Sequence, residues 1–100
     1  MIFRANMIDA NEAYRIGLVN KVIPQAELMD VCKQTAKEIM ANAPIAVQLA
    51  KTAINRGINC DVITGIAYED EVFALCFSTA DQKEGMDAFV NKRAKNFQGK

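Results

Sequence analysis

Residues 77–97 of this chain read FSTADQKEGMDAFVNKRAKNF, and this is the most informative stretch of the sequence. Thr79 and Gln82 have the spacing of a capping box, in which the threonine hydroxyl accepts a hydrogen bond from a backbone amide of the first helical turn. Acidic residues come early and basic residues come late, an order that suits the helix dipole. The stretch therefore predicts an amphipathic helix with a basic tail, which can bury one face and hold cations near an anionic partner. Its expected apolar face consists of Met86, Phe89 and Val90, with Arg93 at the end.

The rest of the sequence predicts four further helices. Asp9 and Asp61 have the residue type of N-caps, and Pro44 suits a first helical position. Residues 18–23 are rich in β-branched side chains and predict an extended segment or a lone strand, which is not stable by itself. The expected fold class is all-α: a small orthogonal bundle of about five helices with one short extended segment, forming a single domain over residues 1–100. The four helices are expected over residues 10–16, 25–42, 44–56 and 62–78.

Two glycines are expected to end helices. Gly17 is placed to end the first helix in a left-handed turn, and Gly57 to stop the helix that begins at Pro44. That helix is apolar around much of its circumference, which predicts burial on more than one side. A chain of 100 residues has little core to offer such a helix, so we expect a partner surface.

Composition excludes several classes of function. The 12 basic residues balance the 12 acidic ones, so no net charge recruits nucleic acid or a membrane surface. No apolar run reaches the roughly 18 residues that a membrane helix needs. The three cysteines show no CxxC spacing, which favours reduced thiols and a cytoplasmic protein. The chain has no histidine, which excludes imidazole catalysis and histidine-containing zinc sites, and no other metal-ligand spacing occurs.

The remaining chemical candidates each have a structural alternative. Glu69, Asp70 and Glu71 form a carboxylate cluster, but consecutive helix positions diverge by about 100°, so solvated charges are the favoured interpretation. Cations at Arg56 and in the tail could meet phosphates or simply complement helix dipoles. Phe89 at helical spacing is more often part of a core than the wall of a ligand site. Cys60 before a cap is interpreted as an inert thiol, because no base lies near it in sequence.

Three stretches together resemble one family. Residues 13–23 read AYRIGLVNKVI, residues 42–57 read NAPIAVQLAKTAINRG, and residues 76–93 read CFSTADQKEGMDAFVNKR. They resemble the C-terminal part of the crotonase, or enoyl-CoA hydratase/isomerase, family, and are most similar to bacterial short-chain enoyl-CoA hydratases. The resemblance covers essentially the whole chain and implies the helical trimerisation region of that fold. At residues 4–6 the chain reads Arg-Ala-Asn, where relatives often have Thr-Gly.

The resemblance implies that the catalytic groups lie elsewhere. Family members carry an N-terminal domain that supplies an oxyanion hole and two catalytic glutamates, and nothing here corresponds to those segments. The chain is therefore expected to be inactive alone, and we assign it no catalytic residue, no metal ligand and no cofactor. The six glutamates, none in a matching stretch, are Glu12, Glu27, Glu38, Glu69, Glu71 and Glu84.

The same resemblance implies two contacts with coenzyme A (CoA). In some relatives the Phe and Lys of the AFVxKR segment approach bound CoA, often in a neighbouring subunit's site; the matching positions are Phe89 and Lys92. The phenylalanine would pack on an apolar part of the ligand, and the lysine would meet a phosphate as a point charge. The implied partners are acyl-CoA and further copies of the chain, as a trimer or dimer of trimers in the complete enzyme, or as an exchanged-helix dimer of this region alone.

Two alternatives remain open at this stage. A stand-alone helical module would self-associate without affinity for CoA. A minimal acyl-CoA binder would use Phe89 and the basic tail, and replacement of Lys92 by alanine would weaken its binding.

Overall fold

A computed structural model describes residues 2–100, and within them the secondary structure is helical. The chain divides into two compact units, one extending to Thr35 and one from Ala36 to Lys100, with the division inside the second helix. The prediction of an all-α fold is therefore confirmed. The helices of the described residues are α1 (Ala10–Arg15), α2 (Leu28–Met40), α3 (Pro44–Gly57), α4 (Val62–Cys76) and α5 (Ala80–Val90).

Three helices begin at the caps that the sequence indicates. The side chains of Asp9, Asp61 and Thr79 accept from backbone amides three residues later, at 2.8, 3.0 and 3.1 Å. Two hydrogen bonds from Thr64 hold the pKa of Asp61 below its ordinary value. Each bond satisfies an amide that the first helical turn leaves without a partner.

The first unit differs from prediction in two segments. Residues 18–23 form no strand; the amides of Leu18 and Val19 instead donate to the carbonyl of Ala13, at 2.8 and 3.3 Å. Gly17 does take the predicted left-handed conformation, with φ of 75°. Residues 25–27 form a turn, in which the Glu27 amide donates to the Pro24 carbonyl, so α2 begins three residues later than predicted.

In the second unit, α3 and α4 make the one extensive helix–helix interface of the described chain. Two glycines lie in this interface: a Cβ on Gly65 would lie 3.5 Å from the Cα of Gly57. The α3 helix ends at Gly57, one residue later than predicted, and is capped by Ile58 in an ordinary right-handed conformation. A Cβ on Gly57 itself would meet no atom within 4 Å, so space for a side chain is limited at Gly65 rather than at Gly57.

Few apolar residues are buried within the chain. Ala13, Val72 and Ala88 are the buried apolar residues among residues 2–100, and α3 has no buried residue at all. Large apolar side chains remain exposed along several helices, including Ile54, Ile66 and Phe73. So many exposed apolar side chains indicate that another surface covers them, because large exposed apolar patches mark interaction sites.

Candidate functional site

An open apolar groove of about 730 Å³ lies between α3 and α4. Small residues of α3 form one wall, while Ile66 and Phe73 of α4 form the other; the Phe73 ring also meets the Phe77 ring edge to face at 5.3 Å. The groove is open to solvent, so a partner can reach its apolar lining. The lining includes Ala46, Leu49, Ala50, Ala53, Ile66 and Phe73.

The acidic cluster on α4 does not assemble into a site. Glu69 lines the apolar groove, whereas Asp70 and Glu71 are exposed and do not line it. No group of three or more metal-ligating side chains forms within residues 2–100. The groove therefore offers an apolar surface with one carboxylate beside it, a composition suited to packing.

Arg56 is used inside the second unit. Its guanidinium lies over the Tyr68 ring of α4, 4.6 Å from the ring centroid. Such a cation–π contact stabilises an exposed pair by about 0.5–1 kcal/mol. This contact fastens α3 to α4, and neither of the two interpretations that the sequence left open for Arg56 included it.

The α5 helix begins with only half of the predicted capping box. The Thr79 hydroxyl accepts from the Gln82 amide, as predicted, and donates to the Cys76 carbonyl at 2.7 Å. The Thr79 amide donates to that same carbonyl at 3.1 Å, so the Gln82 side chain is not needed there. These bonds join the end of α4 directly to the start of α5.

The α5 helix ends in a Schellman turn with lysine at the left-handed position. The Arg93 amide donates to the Ala88 carbonyl at 3.0 Å and the Lys92 amide to the Phe89 carbonyl at 3.3 Å. Lys92 has φ of 50°, a conformation that glycine adopts most easily. A lysine at this position therefore costs backbone energy relative to glycine.

Arg93 is held in an ion-pair cluster with two carboxylates of α5. Its two terminal nitrogens lie 2.7 Å from the two carboxylate oxygens of Glu84, and it also pairs with Asp87. The Arg93 guanidinium, helped by a hydrogen bond from the Asn96 amide, lowers the pKa of Glu84 to about 2. The two carboxylates in turn raise the pKa of Arg93 above its ordinary value. Arg93 thus fixes the chain where it leaves the helix.

Phe89 and Lys92, the two positions implied to meet CoA, both face solvent. The Phe89 side chain is 82% exposed, so it is not part of a core within this chain. Lys92 is exposed, and across residues 2–100 its ammonium group has no hydrogen bond or ion pair. By contrast, the Lys95 ammonium lies 3.3 Å from Asn42 Oδ1 and over the Phe97 ring. Within residues 92–95, the structure therefore leaves Lys92 as the cation without a partner.

Sequence reasoning missed Asp81, a buried charged side chain. It is only 2% exposed, and its two carboxylate oxygens accept from the amides of Gln98 and Gly99, each at 2.7 Å. The sequence showed it only as an early acidic residue of the helix, because its partners lie 17 and 18 positions away.

Known proteins that match this chain identify its family. A family model described as enoyl-CoA hydratase/isomerase matches residues 1–100. The short-chain-enoyl-CoA hydratase of Clostridium acetobutylicum is 56% identical over 93 residues, which cover 93% of this chain and 36% of that protein. The crotonyl-CoA hydratase of Syntrophomonas wolfei is 45% identical over 97% of this chain and 37% of its own length.

Solved structures of enoyl-CoA hydratases also match this chain. An enoyl-CoA hydratase from Bacillus anthracis superposes with a TM-score of 0.88 at 40% identity, covering 93% of this chain and 36% of that one. A Geobacillus kaustophilus enoyl-CoA hydratase gives a TM-score of 0.92 at 38% identity, over 97% of this chain and 37% of that one. This chain therefore spans little more than a third of each of these four proteins. Because the family model matches from the first residue to the last, the chain belongs to the enoyl-CoA hydratase/isomerase family.

Proposed function

We propose that this chain is the helical region of a short-chain enoyl-CoA hydratase, which drives assembly and completes the CoA site. In the complete enzyme the reaction is the reversible addition of water to a short-chain 2-enoyl-CoA, giving a 3-hydroxyacyl-CoA. The catalytic glutamates and oxyanion hole would come from outside these 100 residues. The region alone is expected to be inactive.

The observation that carries the assembly role is the uncovered groove between α3 and α4. A groove of about 730 Å³ lined by apolar side chains is costly to leave in water. Full burial of one large apolar side chain contributes about 1.5–3 kcal/mol, so covering the groove would favour association. The occupants that fit are further copies of the chain or the rest of the enzyme.

The CoA role rests on Phe89 and Lys92. An exposed aromatic ring and an unpaired ammonium group lie within one turn of each other at the end of α5. The ring offers an apolar face, and the ammonium group offers a point charge for phosphate. Because Arg93 and Lys95 already have partners, Lys92 is the residue proposed to carry the phosphate contact.

Sedimentation of matched groove variants tests the assembly role. Ile66 lines the groove, whereas Ile63 lies on the same helix, is 81% exposed and does not line it. We expect the chain to sediment as an oligomer at tens of micromolar, and Ile66→Lys to dissociate it because a charge in the interface loses its solvation. Ile63→Lys should leave the mass unchanged. A monomeric parent chain, or equal dissociation by both variants, would contradict the assembly role.

Titration with CoA, followed by amide chemical shifts, tests the binding role. We expect shifts in residues 85–97 and about fivefold weaker binding in Lys92→Ala, since a phosphate contact at an exposed site contributes about 1 kcal/mol. Lys83→Ala is the control, because Lys83 is an exposed lysine of the same helix. Raising the salt concentration should weaken binding of the parent chain by screening. Unmoved spectra at millimolar CoA would exclude binding by this region alone.

A further inference from the structure

The last seven residues fold back along α5 and form what we term the strap, residues 94–100. The Asn96 amide donates to the Glu84 carboxylate at 2.8 Å. The amides of Gln98 and Gly99 donate to the Asp81 carboxylate, and the Asp81 amide donates to the Lys100 carbonyl at 3.0 Å. The strap is therefore fastened to the first and second turns of α5 by its backbone.

Asp81 is the central anchor of the strap. A buried carboxylate is costly unless its oxygens are hydrogen-bonded, and here both oxygens accept a backbone amide at 2.7 Å. Its place in the first turn of α5 adds a favourable interaction with the helix dipole. Without the strap, the groups that satisfy this carboxylate would be lost.

The other side of the strap touches the start of α3. The Lys95 ammonium lies 3.3 Å from Asn42 Oδ1, just before α3 begins. At Gly99, which has φ of 73°, a Cβ would lie 3.6 Å from Cγ of Pro44. The strap thus contacts both α5 and the α2–α3 junction.

Between these contacts, the Phe97 ring closes over α5. A Cβ on Gly85 would lie 3.4 Å from this ring, so the absent side chain makes room for it. The ring also lines a pocket of about 300 Å³ that includes Phe73, Phe77 and Met86. The ring therefore joins the apolar contacts of α4 and α5, which have no extensive interface of their own.

We propose that the strap is a brace that sets the position of α5 against the start of α3, with Asp81 as its positioning residue. Glu84 assists by holding both Arg93 and the Asn96 amide. Because Phe89 and Lys92 lie at the far end of α5, the brace fixes where they are presented to CoA; this last step rests on the proposed function. Asp81 itself touches no ligand in this role.

The substitution Asp81→Asn tests the brace with almost no change of shape. The asparagine NH₂ group cannot accept a hydrogen bond from a backbone amide. One of the two hydrogen bonds that the strap donates to residue 81 is therefore lost, and two N–H donors face each other instead. Asp70→Asn is the matched control, since Asp70 is an exposed carboxylate on α4. In the parent chain the Gln98 and Gly99 amides should be strongly protected from hydrogen exchange. In Asp81→Asn, but not in the control, their exchange should accelerate at least tenfold.

Residual dipolar couplings of α3 and α5 report the relative orientation of the two helices. A residue that only stabilises the fold would not change this orientation when replaced. We expect Asp81→Asn to change the orientation of α5 relative to α3 while the helical circular dichroism signal is retained. If Asp81→Asn fails to fold, Gln98→Pro is the second variant, because it removes one donating amide of the strap and leaves Asp81 in place. The expected result is the same. Unprotected strap amides in the parent chain, or a released strap with unchanged couplings, would overturn the brace.

Binding of CoA separates failure of the brace from failure of the proposed function. If the parent chain binds CoA, release of the strap should weaken binding severalfold, whereas unchanged affinity would overturn the link to Phe89 and Lys92. If the parent chain does not bind CoA, the proposed binding role of this region fails alone. The couplings then still support or overturn the brace.

Discussion

Replacement of Lys92 by glycine should stabilise this chain. Lys92 has φ of 50° at the left-handed position of the turn that ends α5. That conformation costs an L-residue about 1–2 kcal/mol, and glycine is free of the cost. Glycine also gains about 0.5–1 kcal/mol of backbone entropy in the unfolded state, which opposes the gain. The expected net stabilisation is about 0.5–1 kcal/mol in the free energy of unfolding.

Thermal unfolding at matched protein concentration measures this effect, because association shifts the apparent stability. A change of 1 kcal/mol moves Tm by about 4–8 °C in a domain of this size, so we expect a rise of about 2–8 °C. Lys92→Ala is the control: it removes the same charge but keeps a Cβ in the left-handed conformation. Both variants should weaken CoA binding alike, since both lack the ammonium group. If Lys92→Gly is no more stable than Lys92→Ala, the backbone argument is refuted.

Three further predictions follow from the same geometry. Gly17→Ala should lower the free energy of unfolding by about 1 kcal/mol, because an alanine is strained at the φ of 75° that Gly17 adopts. The added methyl group would meet no atom within 4 Å, so no new packing offsets this strain. An unchanged Tm would contradict this. Gly65→Leu should lower the free energy of unfolding by about 1–3 kcal/mol, because the larger side chain forces α4 away from Gly57. The methyl group of Gly65→Ala would make only ordinary contacts, so this variant should be tolerated. Equal stabilities of the two variants would argue against the glycine contact. The Glu84 carboxyl should titrate near pH 2 by NMR and return toward 4.5 in Arg93→Gln. Because the pKa of Glu84 is lowered on folding, its stabilising contribution is complete above about pH 4.5 and disappears as the pH falls to about 2. An ordinary pKa of Glu84 in the parent chain would refute the ion-pair cluster.

Local features of this fold could be predicted from the sequence. The caps at Asp9, Asp61 and Thr79 join residues three positions apart, so residue type and spacing are sufficient evidence. The left-handed Gly17 follows from similarly local rules. The family resemblance rests on three such stretches in order.

Other features depend on contacts between distant residues. Asp81 looks like an ordinary acidic residue at a helix start until residues 98 and 99 return to it. Gly57 looks like a helix stop, and α3 does end there, but the sequence does not show that Gly65 of α4 packs against it. Residues 18–23 have strand-forming side chains, yet no neighbouring strand is present among the described residues to pair with them.

Hydration of crotonyl-CoA by this 100-residue chain, with its mass measured on the same sample, tests whether the chain is an assembly region without catalytic groups of its own. We predict an oligomeric mass and no turnover, because the groove drives association while none of the chain's glutamates matches a catalytic stretch of the family. Turnover that is abolished by replacing one of the chain's own carboxylates would contradict the account, because it would place a working catalytic group inside this helical region.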